Sequence, residues 1–557
     1  MSHSSMLAAS SHTDTFTRDR LPPPAQWPVF LFDRPEVQYP EQINCAVELV
    51  DRHVREGRGD RVALHGMTDP DRHEGPFAWT YAQLQERSNR IAQVLTRDMG
   101  LVAGNRVLLR GGNSPMMAAC LLGVFKAGLV AVPTMPLLRS GELQQILEKA
   151  QIGAALCDSL LADELQHCMT PGHAHHAPVL QNMVAFRSEA SEGLEQRMAR
   201  HTEAYQAHAT SRDDVCLIAF TSGTTGKPKG TMHFHRDVLA MCDLFPRHVL
   251  HMAADDVVCG TPPIAFTFGL GGLLAFPLRH GASTVLLEKH TPETLLQTIA
   301  RYKVTQCYTA PTMYRQMAAL APGHDLRSLR HTVSAGEALP DATRQLWKQA
   351  TGIEMTDGIG GTEVIHIYIS SAGDQVRRGA IGKVVPGYEA RIVDEQMRPV
   401  PPGTVGRLAV RGPTGCRYLD DPRQQDYVQD GWNLPGDTFM MDADGYFSYQ
   451  ARNDDMIISA GYNIAGPEVE GALLLHPAVA ECGVVGQADE DRGQVVAAYV
   501  VLKPGHAGDE AMARALQEHV KQTIAPFKYP RRVVFLDVLP RTETGKLQRF
   551  KLRQKEQ

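Results

Sequence analysis

The sequence predicts an α/β protein: a large N-terminal domain of mixed, largely parallel sheets with flanking helices, a β-rich subdomain at its end, and a small α+β C-terminal domain. Three observations predict it. At 557 residues the chain exceeds the roughly 250–300 over which a single core grows, so more than one domain is expected. From Arg106 onward short β-branched runs alternate with helical patterns, the mark of helices covering a mainly parallel sheet. After about Ile381 Gly and Pro punctuate short strands, which points to antiparallel pairing.

The chain begins with residues rich in Ser, His and Thr and lacking a signal-peptide apolar run, so 1–35 is expected to be a loose, solvated tail. The large domain is expected over 36–451. Its strands are VLL at 107–109, LVAV at 129–132, ASTVLLE at 282–288, VTQCYTA at 304–310 and RHTVSAGE at 330–337. Helices follow Ser114-Pro115 and run through LQQILEKA. The β-rich subdomain is placed at about 381–449, with ARIVD at 390–394 and GRLAVRG at 406–412. The small domain, 452–557, holds the strands CGVVG, VVAAYVVL and RRVVFLDV and a helix over about Glu510–Ile524.

Composition narrows the function. A hydrophobic fraction of 43%, a charged fraction of 21% and a net charge of −6 lack the basic excess that nucleic-acid binding needs. The ten cysteines are scattered, without CxxC spacing or a disulfide framework, and read as reduced core residues of a cytoplasmic protein. Met116–Met135, broken by Lys126 and Gly128, reads as a buried helix and strand rather than a membrane span. The run HAHHA at 173–177 lacks ligand spacing and reads as a solvated loop.

The most informative segment is Thr221-Ser222-Gly223-Thr224-Thr225-Gly226-Lys227-Pro228-Lys229-Gly230, directly after the strand-like VCLIAF. Glycines let backbone N–H groups approach an anion, hydroxyls donate to phosphate oxygens, and the two lysines add charge. A P-loop would need GxxxxGK[ST]; Thr221 stands where its first Gly should be, and Pro228 follows the lysine.

This loop resembles that of the adenylate-forming superfamily: acyl-CoA synthetases, firefly-type luciferases and peptide-synthetase adenylation domains. Further motifs match in order: Asp357-Gly358-Ile359-Gly360-Gly361-Thr362-Glu363, Pro435-Gly436-Asp437, Ala451-Arg452-Asn453-Asp454-Asp455 and Pro540-Arg541-Thr542-Glu543-Thr544-Gly545-Lys546. The resemblance implies activation of a carboxylic acid by ATP and Mg²⁺ as an acyl-adenylate, then transfer to coenzyme A. It implies a mobile C-terminal domain that carries the catalytic Lys546 and pivots at Asp454. Glu363 is expected to hold Mg²⁺, Thr362 to contact the α-phosphate, and residues 221–227 to grip the outer phosphates. Asp437 and Arg452 would bind the ribose side of the nucleotide, with Gly336, Glu337, Ala338, Asp357 and Gly358 around adenine. Ile359 departs from the family, many of whose members carry an aromatic there. Ser459, Gly461 and Tyr462 would line the pantetheine path.

The pattern around SAGEALP and DGIGGTE is most similar to the benzoate and 2-aminobenzoate CoA ligase group. Carried over by position, the acyl pocket comprises Thr267, Phe268, Ala335, Gly336, Gly360, His366 and Ile367. Thr267 replaces the Asp that binds α-amino groups in peptide synthetases, which disfavours amino acids. His366 could bond an ortho substituent or sit as a satisfied core histidine; both readings stand at this point. The alternatives are a medium-chain fatty acyl-CoA synthetase and a catalytically silent nucleotide-binding protein. A separate carrier protein as thiol acceptor, and a monomer or homodimer, also remain open.

Overall fold

The computed structural model describes residues 7–67, 76–221, 228–452, 456–459, 462–489, 493–541 and 547–554; of Ala451, Arg452, Ile458, Tyr462 and Asn463 it describes the backbone alone. A nine-stranded sheet runs in the order Lys383–Val384, Ile367–Ser371, Met355–Gly360, His331–Ser334, Gln306–Thr309, Val257–Gly260, Ser283–Leu286, Val62–Gly66, Phe77–Thr80. Its six inner strands are parallel, and antiparallel pairs close both edges. A six-stranded sheet, Asn182–Phe186, Ala154–Asp158, Arg106–Arg110, Val130–Thr134, Val215–Thr221, Lys229–Phe234, is parallel until its last pair. Continuous apolar runs such as Val107, Leu108 and Leu109 suit such sheets because both faces are covered.

The helix Pro115–Lys126 is buried at all but Met116. Ser114 caps it by accepting from the Met117 N–H at 3.2 Å, with Pro115 at its first turn. Lys126 is tolerated at zero exposure because its ammonium reaches Asp51 at 2.6 Å and Asn89 at 2.7 Å. Among the described residues no helix is long and apolar enough to cross a membrane. All ten cysteines are free.

Two expectations are corrected. From residue 7 onward the segment expected to be a loose tail is docked, because its serines serve as donors for buried carboxylates. Ala8 N–H donates to Asp213 at 2.8 Å, and the hydroxyls of Ser10 and Ser11 donate to Asp214 at 2.5 and 2.6 Å. Asp14 pairs with Arg106, and Thr17 is fully buried. The antiparallel sheet spans Glu389–Arg452 rather than 381–449, since Lys383–Val384 still pairs with Ile367–Ser371 of the large sheet.

A last sheet gathers Tyr462–Ile464, Ile457–Ser459, Gly493–Leu502, Val479–Asp489 and Arg532–Phe535. It has its own core of Val469, Leu473, Val484, Val496, Val500 and Leu516.

Candidate active site

The strand Val215–Thr221 delivers the chain to the Gly- and Thr-rich segment singled out in the sequence. Ser222, Gly223, Thr224, Thr225, Gly226 and Lys227 lie outside the described residues, as do Asp454, Gly461 and Lys546. At the loop's entrance the Thr221 hydroxyl is buried and has no partner among the described residues. At its exit Lys229 reaches across to the turn Thr362–Val364. Its ammonium donates to the Tyr418 hydroxyl at 2.9 Å and stands 3.6 Å from Glu363 Oε1. Tyr418 in turn donates to the same Oε1 at 2.6 Å. Burial, then the charge of Glu363, pushes the Tyr418 phenol well above its ordinary pKa, so it remains a donor.

Among the described residues Glu363 Oε2 accepts no hydrogen bond, and the side chain is 13% exposed. One oxygen is thus fixed and the other open, which suits a hard cation beside a polyphosphate. The turn is tied down from outside: His233 Nε2 donates to the Thr362 carbonyl at 2.8 Å and Thr414 Oγ1 to the Val364 carbonyl at 2.8 Å. Between Glu363 and His366 the backbone passes through Ile365 at φ +70°, a left-handed conformation unusual for a β-branched residue.

Beyond that residue the environment becomes dry. His366 is buried against Phe276 at 4.4 Å, edge-on, with Phe268 at 5.7 Å and Phe245 at 5.8 Å between ring centroids. Gly271 makes this seat possible, since a Cβ there would lie 2.4 Å from the imidazole. His366 Nε2 bonds the Phe268 carbonyl at 3.3 Å, while Nδ1 is buried without a partner among the described residues. Because a carbonyl only accepts, Nε2 carries the proton and Nδ1 is a bare acceptor. Burial pushes His366 down to about 3, so the ring stays neutral. The core-histidine reading is thus met at one nitrogen and unmet at the other. Thr267, Ala335 and Ile367 are buried, while Gly360 packs its backbone on that of His366.

Gly336, at φ +90°, turns the chain after the strand His331–Ser334. Ala338 follows in the same segment. Glu337 accepts from Thr312 at 3.2 Å and pairs with Arg541 at 3.2 Å, so its carboxylate is engaged by protein groups. Asp357 is buried in the strand Met355–Gly360. Burial pushes it up to about 7, against the opposing pull of Arg344 and the Gly358 N–H. Gly358 lies against Ile367, and Ile359 packs half-buried on the main core. Asp437 is nearly buried, opens its strand after Gly436 at φ +84°, and stands opposite Arg452 in register. Ser459 is buried and faces Tyr462 across a strand pair.

The motifs did not reveal Tyr418, His233 or Thr414. Each acts through a contact between distant segments, and no local spacing marks them.

The model of the family described as AMP-binding enzyme matches residues 50–417, and that of the AMP-binding enzyme C-terminal domain matches 468–546. The chain is 35% identical over 525 residues to the benzoate–CoA ligase of Thauera aromatica, covering 93% of this chain and 97% of that protein. It is 30% identical over 534 residues to the mitochondrial acyl-coenzyme A synthetase ACSM3 of Mus musculus, covering 94% and 92%. Among solved structures, the anthranilate CoA ligase AuaEII in complex with anthranoyl-AMP superposes with a TM-score of 0.85 at 34% identity, covering 93% and 98%.

Proposed function

Because the chain belongs to the AMP-binding enzyme family, and so is an ATP-dependent acyl- or aryl-CoA ligase, we propose that its acid substrate is a small aromatic carboxylate of the benzoate or 2-aminobenzoate type. The observation that carries this reading is the aromatic enclosure of neutral His366, whose Nδ1 is an acceptor awaiting a donor. Apolar walls with one polar group select a flat ring and one of its substituents. An ortho amino group would satisfy Nδ1; an unsubstituted ring leaves it orphaned, a difference of about 1–3 kcal/mol.

In this reading the acid's carboxylate attacks the α-phosphorus of ATP, pyrophosphate leaves, and an aryl-adenylate forms. The thiolate of CoA then attacks its carbonyl and AMP leaves. Thr221 and residues 222–227 hold the outer phosphates, and the Thr362 hydroxyl donates to the α-phosphate. Glu363 would hold Mg²⁺ through Oε2, with Tyr418 and Lys229 fixing its other oxygen; the ion, when bound, neutralises charge on the triphosphate. Asp437 accepts from the ribose hydroxyls, with Arg452 beside it, and Gly336, Ala338, Asp357, Gly358 and Ile359 border adenine. Lys546 supplies positive charge between carboxylate and α-phosphate as charge builds there. Ser459, Gly461 and Tyr462 line the thiol's path after the segment from 452 onward turns about Asp454. Ten free cysteines suit a reducing compartment such as the cytoplasm.

The test is CoA-dependent AMP formation across benzoate, 2-aminobenzoate, 2-hydroxybenzoate and octanoate. The aromatic acids should exceed octanoate by at least about tenfold in kcat/KM, with a ring donor ortho to the carboxylate favoured. Octanoate as the best substrate would overturn the aryl reading.

A further inference from the structure

Arg541 ties the C-terminal sheet to the large sheet. Its Nη1 donates to Glu337 Oε1 at 3.2 Å and its Nη2 to Glu481 Oε2 at 2.8 Å. Glu337 follows the strand His331–Ser334 of the nine-stranded sheet, whereas Glu481 lies on the strand Val479–Asp489 of the C-terminal sheet. The three side chains are 26%, 21% and 33% exposed, so solvent screens them only in part. Glu337 is itself held by the Thr312 hydroxyl.

The backbone of Arg541 carries the tie further. Arg541 and Leu547 form an antiparallel bridge, and Gln548 N–H donates to the Pro540 carbonyl at 2.9 Å. Leu547 packs beneath Gly483, where a Cβ would lie 2.7 Å from it. The neighbour of Lys546 in the chain is therefore fixed to Arg541, and the side chain of Arg541 is fixed to Glu337.

We propose that Arg541 and Glu337 form a positioning pair that holds Lys546 in register for adenylation and must part before thioester formation. Neither side chain touches the reacting atoms. The forked guanidinium reaches Glu337 beyond the end of one sheet and Glu481 on the other at once, which a lysine ammonium does not reproduce. This rests on the reading of Lys546 given above. It also replaces the sequence-based role for Glu337: as an adenine contact its loss would raise KM for ATP, whereas as a positioning residue its loss lowers the adenylation rate.

The experiment measures two half-reactions on the full chain: single-turnover pyrophosphate release, and CoA thioester formation from synthetic benzoyl-adenylate. The variants are Arg541→Ala, Glu337→Ala, the double variant, Arg541→Lys and Lys546→Ala. Each single alanine variant should slow pyrophosphate release by ~10- to 100-fold, the loss expected from a small misplacement of a catalytic group. KM for ATP should stay within about twofold and thioester formation at wild-type rate or above, which also reports that the variants are folded. The double variant should be no slower than the slower single, and Arg541→Lys should fall between wild type and alanine. Multiplying losses in the double variant, a loss carried by KM, or an equal fall in both half-reactions would overturn the pair. If Lys546→Ala cuts pyrophosphate release while the losses multiply, the pair alone fails; if Lys546→Ala leaves release intact, the reading of Lys546 fails and the pair with it.

Discussion

Glu363 and His366 are three positions apart and occupy opposite kinds of environment. Glu363 stays partly open and is held by a phenol and an ammonium. His366 is enclosed by phenylalanine rings and kept neutral by burial. In the reading proposed above, the difference teaches how one short stretch would serve two tasks. Stabilising charge on a phosphate needs a persistent ion with its partners in place. Discriminating among acids needs a dry wall on which a single unmet hydrogen bond is costly.

The polar end should break hardest. Glu363→Gln should slow adenylation by ~10²- to 10³-fold at low Mg²⁺, with partial recovery as Mg²⁺ is raised, because a neutral amide is a poorer ligand for a hard cation. Pyrophosphate release titrated with Mg²⁺ checks this; an unchanged Mg²⁺ dependence would remove Glu363 from the ion's site. Tyr418→Phe should act in the same direction but less, about tenfold, since it loosens the carboxylate without removing it.

The dry end should show a smaller effect confined to selectivity. His366→Leu should reduce any preference for 2-aminobenzoate over benzoate by about five- to tenfold, with kcat/KM for benzoate little altered. A matched loss on both acids would assign His366 to packing alone.

The smallest effect concerns pH. Asp357 titrates at about 7 in the folded protein, above an ordinary carboxylate, so between the two values the native state binds more protons than the unfolded one. Its contribution is full below the unfolded value and is lost as pH rises through about 7. Asp357→Asn should therefore flatten the decline in Tm between about pH 4 and pH 7 relative to wild type. Parallel Tm profiles for the two proteins would contradict this.

The fold was legible because its signals are local. Strands such as Arg106–Arg110 carry an apolar run at their centre, and Ser114-Pro115 starts a helix by capping chemistry. At the candidate site the motifs point to Glu363 and Thr221, and the structure sets Glu363 against Tyr418 and Lys229 and leaves the Thr221 hydroxyl buried without a partner among the described residues. What stayed hidden depends on pairing across distance. Tyr418 meets Glu363 from 55 positions away, and Arg541 meets Glu337 from 204. The docked start of the chain was missed for a related reason: Ser10 and Ser11 look like solvated residues until Asp213 and Asp214 are seen buried beside them.

Ile365 sets a limit on what can stand in its place. Its left-handed backbone costs on the order of 1–3 kcal/mol, and the bonds to Thr362 and Val364 on either side of Glu363 hold it there. Its side chain is also fully buried. Glycine would relax the backbone but empty part of the core, and valine would fill most of that space but keep the strain. Neither of these replacements improves both. In the reading proposed above, one strained turn thus carries both the histidine that would read the acid and the carboxylate that would hold the ion, so a change of acid is met with less disruption by altering the walls around His366 than by altering the turn.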